Sequence, residues 1–261
     1  MNPQIAFPES FYPPVNPKYM YYCTLGYHVA KRSTCHITGC AKNIAWNLPQ
    51  ILLKLQYIGS FFSGCSYFIY ENDSTDNTAL YIQRYSHIKV LSEKLKQPQH
   101  EQDKSLLRRS TMAFCRNKCL QYRQRSNYTI VVDLDLHGIS YEGILNTLGH
   151  DLDVVGSNGI LYKDNKRLYY DTWAHRVGDW EDKSTNDLKF NRGEDPIEVN
   201  SCFGGMAIYK SHVLDNCSYI DEDCDHVTLH KQIKNKGYKI YLNPSQITLY
   251  SEHYYERYNK Y

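Results

Sequence analysis

Asp133 and Asp135 stand one residue apart in the run NYTIVVDLDLHGIS, directly after five residues suited to a buried strand, Tyr128 to Val132. With no polar–apolar alternation, that strand reads as covered on both faces, as in a parallel sheet. A carboxylate brought to such a strand end is costly to desolvate unless something compensates. Two aspartates at i and i+2 point the same way if the strand continues, and flank a turn if it ends. Either way their charges repel unless a cation lies between them. The chemistry this pattern supports is the grip of a divalent ion. The bland alternative is a turn in which Asp133 caps the next backbone N–H groups.

The elements that must position this pair alternate along the chain. STCHITG (33–39) reads as a strand, and NIAWNLPQILLKLQYIGSF as a helix whose first part is limited or bent by Pro49. CSYFIYE (65–71) is a second strand, DNTALYIQRYS a helix begun by an Asp/Asn cap, and IKVLSE (88–93) a third strand. Residues 103–126 have helical periodicity and precede the strand that ends at Asp133. This β-α-β-α-β-α-β order predicts an α/β fold with a doubly wound, mostly parallel sheet. Ligands bind such sheets at the carboxyl ends of strands near the switch point. Three strand ends should therefore converge on one cleft: Thr38-Gly39-Cys40, Glu71-Asn72-Asp73 and Asp133-Leu134-Asp135.

No G-x-G-x-x-G follows the first strand and no G-x-x-x-x-G-K-[ST] occurs, which excludes a dinucleotide fingerprint and a P-loop. Phosphates bound without a glycine cradle need another positive charge, and Mg²⁺ or Mn²⁺ on aspartates supplies it. The 103–126 helix carries seven Lys/Arg against one Asp. Most of these form a solvated basic face; Arg116, with Lys118 beside it, is the candidate ligand contact.

The whole chain has 261 residues and a formal charge of +2, enough for one large domain and no global reason to expect nucleic acid. No run approaches the length of a membrane span. The amino terminus lacks a basic segment followed by an apolar core, so no secretory signal is read there. Five prolines in the first 17 residues predict an extended arm over 1–28, followed by the main domain over 29–261. Nine cysteines without a C-x-x-C argue against a disulfide framework or structural zinc and for a reducing, cytoplasmic setting. Sequons at Asn72 and Asn127 fall at working strand ends, where a glycan would obstruct function or folding.

In the second half, LDVVGSNGILY and KRLYYDTWAHRVGDW read as strands and a loop, with Trp173, His175 and Trp180 able to stack on sugar faces or to serve as core. VNSCFGGMAIYK puts Gly204 and Gly205 inside a strand-like run, where a ligand or another backbone can approach closely. YIDEDCDHVTLHKQI places Glu222, Asp223 and Asp225 before a helix starting near Val227. Acids there cap the helix, yet crowded carboxylates raise one another's pKa, which suits a base. His226 and His230 read as structural.

The ordered set ENDSTD, RNK, DLD and FGG resembles nucleotide-sugar glycosyltransferases of the GT-A fold. In detail it is similar to the small glycosyltransferases of large DNA viruses and the cryptococcal capsule mannosyltransferase group. The resemblance spans roughly residues 33 to 255 in scattered motifs and implies a metal-dependent transfer of a hexose or pentose from a UDP- or GDP-sugar to a glycan or other hydroxyl acceptor, with inversion. It also implies a virus-encoded protein of the host cytosol or virion. By the resemblance, Thr38 to Cys40 and Glu71 hold the nucleoside, Asp135 binds the metal, and Asp133 contacts the metal or the ribose. His253 completes the metal set, and Asp225, with Asp223 second, is the base. His137, just after the D-x-D, departs from the pattern as a competing ligand. Two other classes stay open. IVVDLDLHG also resembles the first motif of haloacid-dehalogenase-type phosphatases, with Asp133 as nucleophile and Asp135 as acid/base. A binding module that keeps the fold without catalysis is the third reading. Sugar, base, acceptor and oligomeric state are not encoded legibly.

Overall fold

The structure, a computed structural model, describes residues 7–96, 104–163, 166–183 and 187–250. The strands and helices of the first half run Tyr19–Lys31 (α1), Thr34–Ala41 (β1), Leu48–Gly59 (α2), Gly64–Asn72 (β2), Thr78–Ile82 (α3), Ile88–Glu93 (β3), Leu106–Gln121 (α4) and Tyr128–Val132 (β4). The second half runs Gly138–Ile139 (β5), Tyr141–Gly149 (α5), Val154–Lys163 (β6), Lys166–Tyr169 (β7), Ile197–Val199 (β8), Met206–Lys210 (β9), Asp225–Asn235 (α6) and Ile240–Leu249 (β10). One mixed sheet follows the order β3-β2-β1-β4-β9-β6-β10-β5, with β7 on β6 and β8 on β10. β1, β2, β3 and β4 are mutually parallel, as are β6 and β10, while β9 runs against both neighbours.

β4 explains its own lack of alternation. Ile130 and Val132 enter the core shared with α2 and α5, whereas Val131 enters the opposite core shared with β9 and α6. Each such side chain contributes about 1.5–3 kcal/mol on burial, so a polar residue on either face would be expensive.

Several boundaries differ from the sequence reading. The expected arm over 1–28 is not extended throughout its described part: Glu9–Phe11 form a 3-10 turn, and from Tyr19 the chain is helical and lies on α5. Two glycines permit that contact: a Cβ on Gly26 would stand 1.7 Å from the Leu145 carbonyl, and one on Gly149 would stand 2.1 Å from that of Tyr22. Pro49 occupies the first turn of α2, where its missing N–H forfeits no helical bond. α3 has only five residues, with Asp76 accepting from the Thr78 N–H at its start. All nine cysteines are free thiols. Among the described residues no helix is long and apolar enough to cross a membrane.

Candidate active site

Strands β2 and β3 lie to one side of β1, while β4 and β9 lie to the other, so the switch point falls between β1 and β4. A cleft of about 310 Å³ opens at the carboxyl ends of these two strands. Its floor is tight. A Cβ on Gly39 would approach the Val132 carbonyl to 2.4 Å, so glycine lets the two strand ends close up. Beyond β4, Leu134 is buried in the core, and the Asn47 amide donates to the carbonyls of Leu134 (2.9 Å) and Leu136 (3.0 Å). This anchored leucine turns Asp133 and Asp135 toward the cleft. The Asp133 N–H donates to the Gly205 carbonyl (2.8 Å), tying the acidic turn to the glycine pair.

The two aspartates are not equivalent. Asp133 is held at both oxygens: Arg116 donates to Oδ1 (3.0 Å) and the Tyr250 hydroxyl to Oδ2 (2.7 Å). Asp135 is exposed to the cleft and has no side-chain partner among the described residues. The cleft walls desolvate it and Asp133 repels it, pushing its carboxyl up to about 7; because water still reaches it, the repulsion is the sturdier cause. Arg116, 4% exposed, comes from α4 and bridges Asp133 to Asp225, its Nε lying 2.5 Å from Asp225 Oδ2 as a charge contact. Burial alone would favour loss of its proton, but the two carboxylates outweigh that and hold the guanidinium charged. Its plane also rests over the Phe203 ring at 4.9 Å.

A fourth cleft carboxylate, Asp171, escaped the sequence reading. It sits in the left-handed region at φ +69, and its Oδ2 accepts from the Gly204 N–H (3.1 Å). Burial first, then the charge of Asp133, pushes it up to about 8. Tyr170 before it stacks on Tyr250 at 3.5 Å. A lone acid between aromatics in YYDTW carries no periodic or motif signal, so only the fold reveals it.

The sequence-read residues separate into two groups. Cys40, Arg116, Asp133, Leu134, Asp135, Trp173 and Asp225 line the cleft. Thr38, Gly39, Glu71 and Asp73 do not: Glu71 spends its oxygens on the Ser74 N–H (2.9 Å) and the Ser92 hydroxyl, and Asp73 caps the Lys96 N–H (3.1 Å). Asn72, between them, does line it. Lys118 pairs with Glu93 at 3.2 Å. His175 packs edge-on against Tyr169 at 5.3 Å, lowered to about 4 by burial and then by Arg176. Asp223 pairs with Arg176 at 3.2 Å, off the cleft wall, while Asp225 is the first residue of α6, two residues earlier than the expected start. Gly204 and Gly205 form the turn before β9 rather than lying inside the strand, with φ +60 and +83. Their missing side chains admit the Ser157 carbonyl and the Tyr250 hydroxyl, each within 2.3 Å of where a Cβ would stand. His137 leans on Trp46 at 5.2 Å. His230 is structural, bonded to Ser201 (2.8 Å) and Tyr209 (3.0 Å), whereas His226 reaches the cleft wall. His253 lies outside the described residues.

Hard carboxylate donors fit Mg²⁺ or Mn²⁺ and not a thiolate-loving metal. Among the described residues no group of three or more His, Cys, Asp or Glu could hold an ion unaided. Mg²⁺ is commonly held by one or two carboxylates completed by substrate phosphates and water, and the free Asp135 beside Asp133 suits that arrangement.

No family model matches the chain, and no curated protein matches it. Solved structures do. A mannosyltransferase from Pyrobaculum calidifontis in complex with GDP-Man and Mn²⁺ superposes with a TM-score of 0.55 at 13% identity, over 88% of this chain and 65% of that one. GalNAc-T7 with UDP, GalNAc and Mn²⁺ gives 0.55 at 12% identity, over 84% and 44%. S. aureus TarS 1-349 gives 0.53 at 13% identity, over 85% and 62%. The chain thus spans less than two thirds of the length of each. Its fold is that of the GT-A glycosyltransferases: a curled, mostly parallel mixed sheet flanked by helices. The phosphatase reading gains no support. Its would-be nucleophile, Asp133, is tied at both oxygens, and three strand–helix units precede its strand.

Proposed function

We propose that this chain is a metal-dependent glycosyltransferase, moving a hexose or pentose from a UDP- or GDP-sugar to a hydroxyl of a glycan or other acceptor with inversion. One observation carries the reading: at the switch-point cleft of a GT-A sheet, the turn after β4 presents one arginine-anchored carboxylate, Asp133, and one free carboxylate, Asp135. The motifs ENDSTD, RNK, DLD and FGG support a place near the small glycosyltransferases of large DNA viruses and the cryptococcal capsule group. Nine free thiols fit a reducing, cytoplasmic compartment.

Asp135 and Asp133 would hold the divalent ion, with His253 as the further ligand the sequence suggests. When bound, the ion supplies Lewis-acid charge that offsets the negative charge developing on the departing nucleoside diphosphate. Arg116 orients Asp133 through its hydrogen bond, and its buried guanidinium adds positive charge at the same place. Trp173 offers an apolar face on the cleft wall for a sugar ring. The acceptor proton passes to a cleft carboxylate; Asp225 is the sequence choice and lies on the wall, while Asp223 is set aside by its pairing with Arg176.

A thermal-shift screen of UDP- and GDP-sugars with and without Mn²⁺ tests this reading. A ligand that binds only the folded state raises the melting temperature, so one sugar nucleotide should do so in Mn²⁺ and lose its effect in EDTA. No shift from any of them would remove the proposal.

A further inference from the structure

The cleft holds four carboxylates, and three are committed. Asp133 accepts from Arg116 and Tyr250, Asp225 is pressed against Arg116 at 2.5 Å, and Asp135 is the free member of the metal pair. Asp225 Oδ2 is taken up by the Arg116 guanidinium and its Oδ1 by the Cys224 thiol (3.6 Å), so neither oxygen stands open to an acceptor hydroxyl. Asp171 makes no ion pair among the described residues, and its single hydrogen bond, from the Gly204 N–H, falls on Oδ2 and leaves Oδ1 open. Position favours it as well. Asp171 hangs on the Gly204 N–H while Asp133 hangs on the Gly205 carbonyl, so one glycine pair fixes both carboxylates relative to each other.

A second observation marks this wall as a docking place for hydroxyls. His226 is 2% exposed and lines the cleft, yet neither ring nitrogen has a hydrogen-bond partner. Its Nε2 is 4.0 Å from Asp225, beyond hydrogen-bond reach, and its ring is stacked on Phe203 at 3.6 Å. A buried imidazole with both nitrogens unsatisfied is costly unless a polar ligand arrives.

We propose that Asp171, rather than Asp225, takes the proton from the acceptor hydroxyl, in a subsite where His226 meets a second hydroxyl of the same acceptor. The inference rests on the glycosyl-transfer reading. The acceptor oxygen forms a bond to the anomeric carbon, and the bond from that carbon to the phosphate oxygen breaks. The electron pair leaves with the nucleoside diphosphate, and the hydroxyl proton goes to Asp171 Oδ1. Asp225 is then a positioning residue that acts through Arg116.

The test uses the full chain with Mn²⁺ and whichever of UDP-glucose or GDP-mannose the wild type cleaves, water serving as acceptor. Asp171→Gly suits the left-handed backbone and removes the carboxylate, so the fold should survive; Asp171→Asn is the second variant. Both should bind donor within threefold of wild type by calorimetry and cleave it at least 100-fold more slowly. Azide, an anion that attacks without releasing a proton, should restore the rate at least tenfold and give a glycosyl azide. Asp225→Asn should also be slow but gain nothing from azide. Asp171 variants that keep a third of the wild-type rate, or azide rescue of Asp225→Asn instead, would overturn the assignment. A wild type that binds none of the screened UDP- and GDP-sugars would remove the transfer reading itself, recognisable because that failure precedes any variant.

Discussion

Two arginines are equally buried at opposite duties. Arg116 and Arg192 are each 4% exposed, and each meets two carboxylates. Arg192 spends its whole fork on the body of the protein. It donates to the Tyr19 hydroxyl (2.8 Å), to the carbonyls of Glu9 (2.8 Å) and Tyr12 (3.0 Å), and to Glu142 (2.5 Å). These contacts fasten the 7–18 stretch and α1 to α5 and to the loop before β8. Arg116 makes one aligned hydrogen bond, to Asp133, and its other carboxylate contact is purely a matter of charge. The lesson is that burial and charge pairing alone do not mark a site. A saturated guanidinium is a fastener, and an undersaturated one facing a cleft is held ready for a ligand.

This division of labour predicts that charge changes in the cleft cost activity and those at the anchor cost stability. The largest effect is expected from Asp135→Ala, which should slow transfer by about 10³-fold, or roughly 4 kcal/mol of transition-state stabilisation. Its melting temperature should stay near wild type, since no side-chain partner is lost; an active variant, or an unfolded one, would erase the distinction. Next comes Arg192→Met, which strands partly exposed carboxylates and should lower unfolding free energy by about 2–4 kcal/mol in urea titrations. Activity per folded molecule should be unchanged, and a matching loss of turnover would show that the anchor reaches the cleft.

Arg116→Lys keeps one charge but cannot reach two carboxylates at once. Turnover should fall about 10²-fold, with a smaller change in stability than Arg192→Met causes. The reverse ranking would make Arg116 the fastener. The smallest effect involves neither arginine. His36 and His230 are held neutral by burial, down to about 4 and about 3. Below the ordinary histidine value only the unfolded chain takes up those protons, so stability is full above about pH 6.5 and declines as pH falls toward 4. Replacing His36 by Gln should remove about 2 kcal/mol of the histidine-linked change in unfolding free energy between pH 7 and pH 5, and a pH dependence identical to wild type would refute the linkage.

How much was legible depended on the reach of each interaction. The β-α alternation, the all-apolar β4 and the D-x-D at its end are local patterns, and the parallel sheet with its switch-point cleft followed from them. β3 was read with its observed bounds, Ile88 to Glu93. The helix at Tyr19–Lys31 was hidden because proline-rich surroundings suggested extension, while its stability comes from docking on α5. The resemblance put Glu71 at the nucleoside; the hydroxyl that shares its carboxylate comes from Ser92 on the neighbouring strand, a pairing visible only in the fold.

By itself, the order of residues determined the layered α/β architecture and the acidic turn after β4 at the sheet's mouth. Periodicity and strand-end position are properties of short stretches, so they survive without knowledge of neighbours. Only the tertiary structure decided which acids are spoken for. Asp133 meets Arg116 from 17 residues away and Tyr250 from 117, and Asp171 meets Gly204 across 33. The proton affinity of a carboxylate is set by the charges and walls within a few ångströms of it, and chain folding alone brings those together.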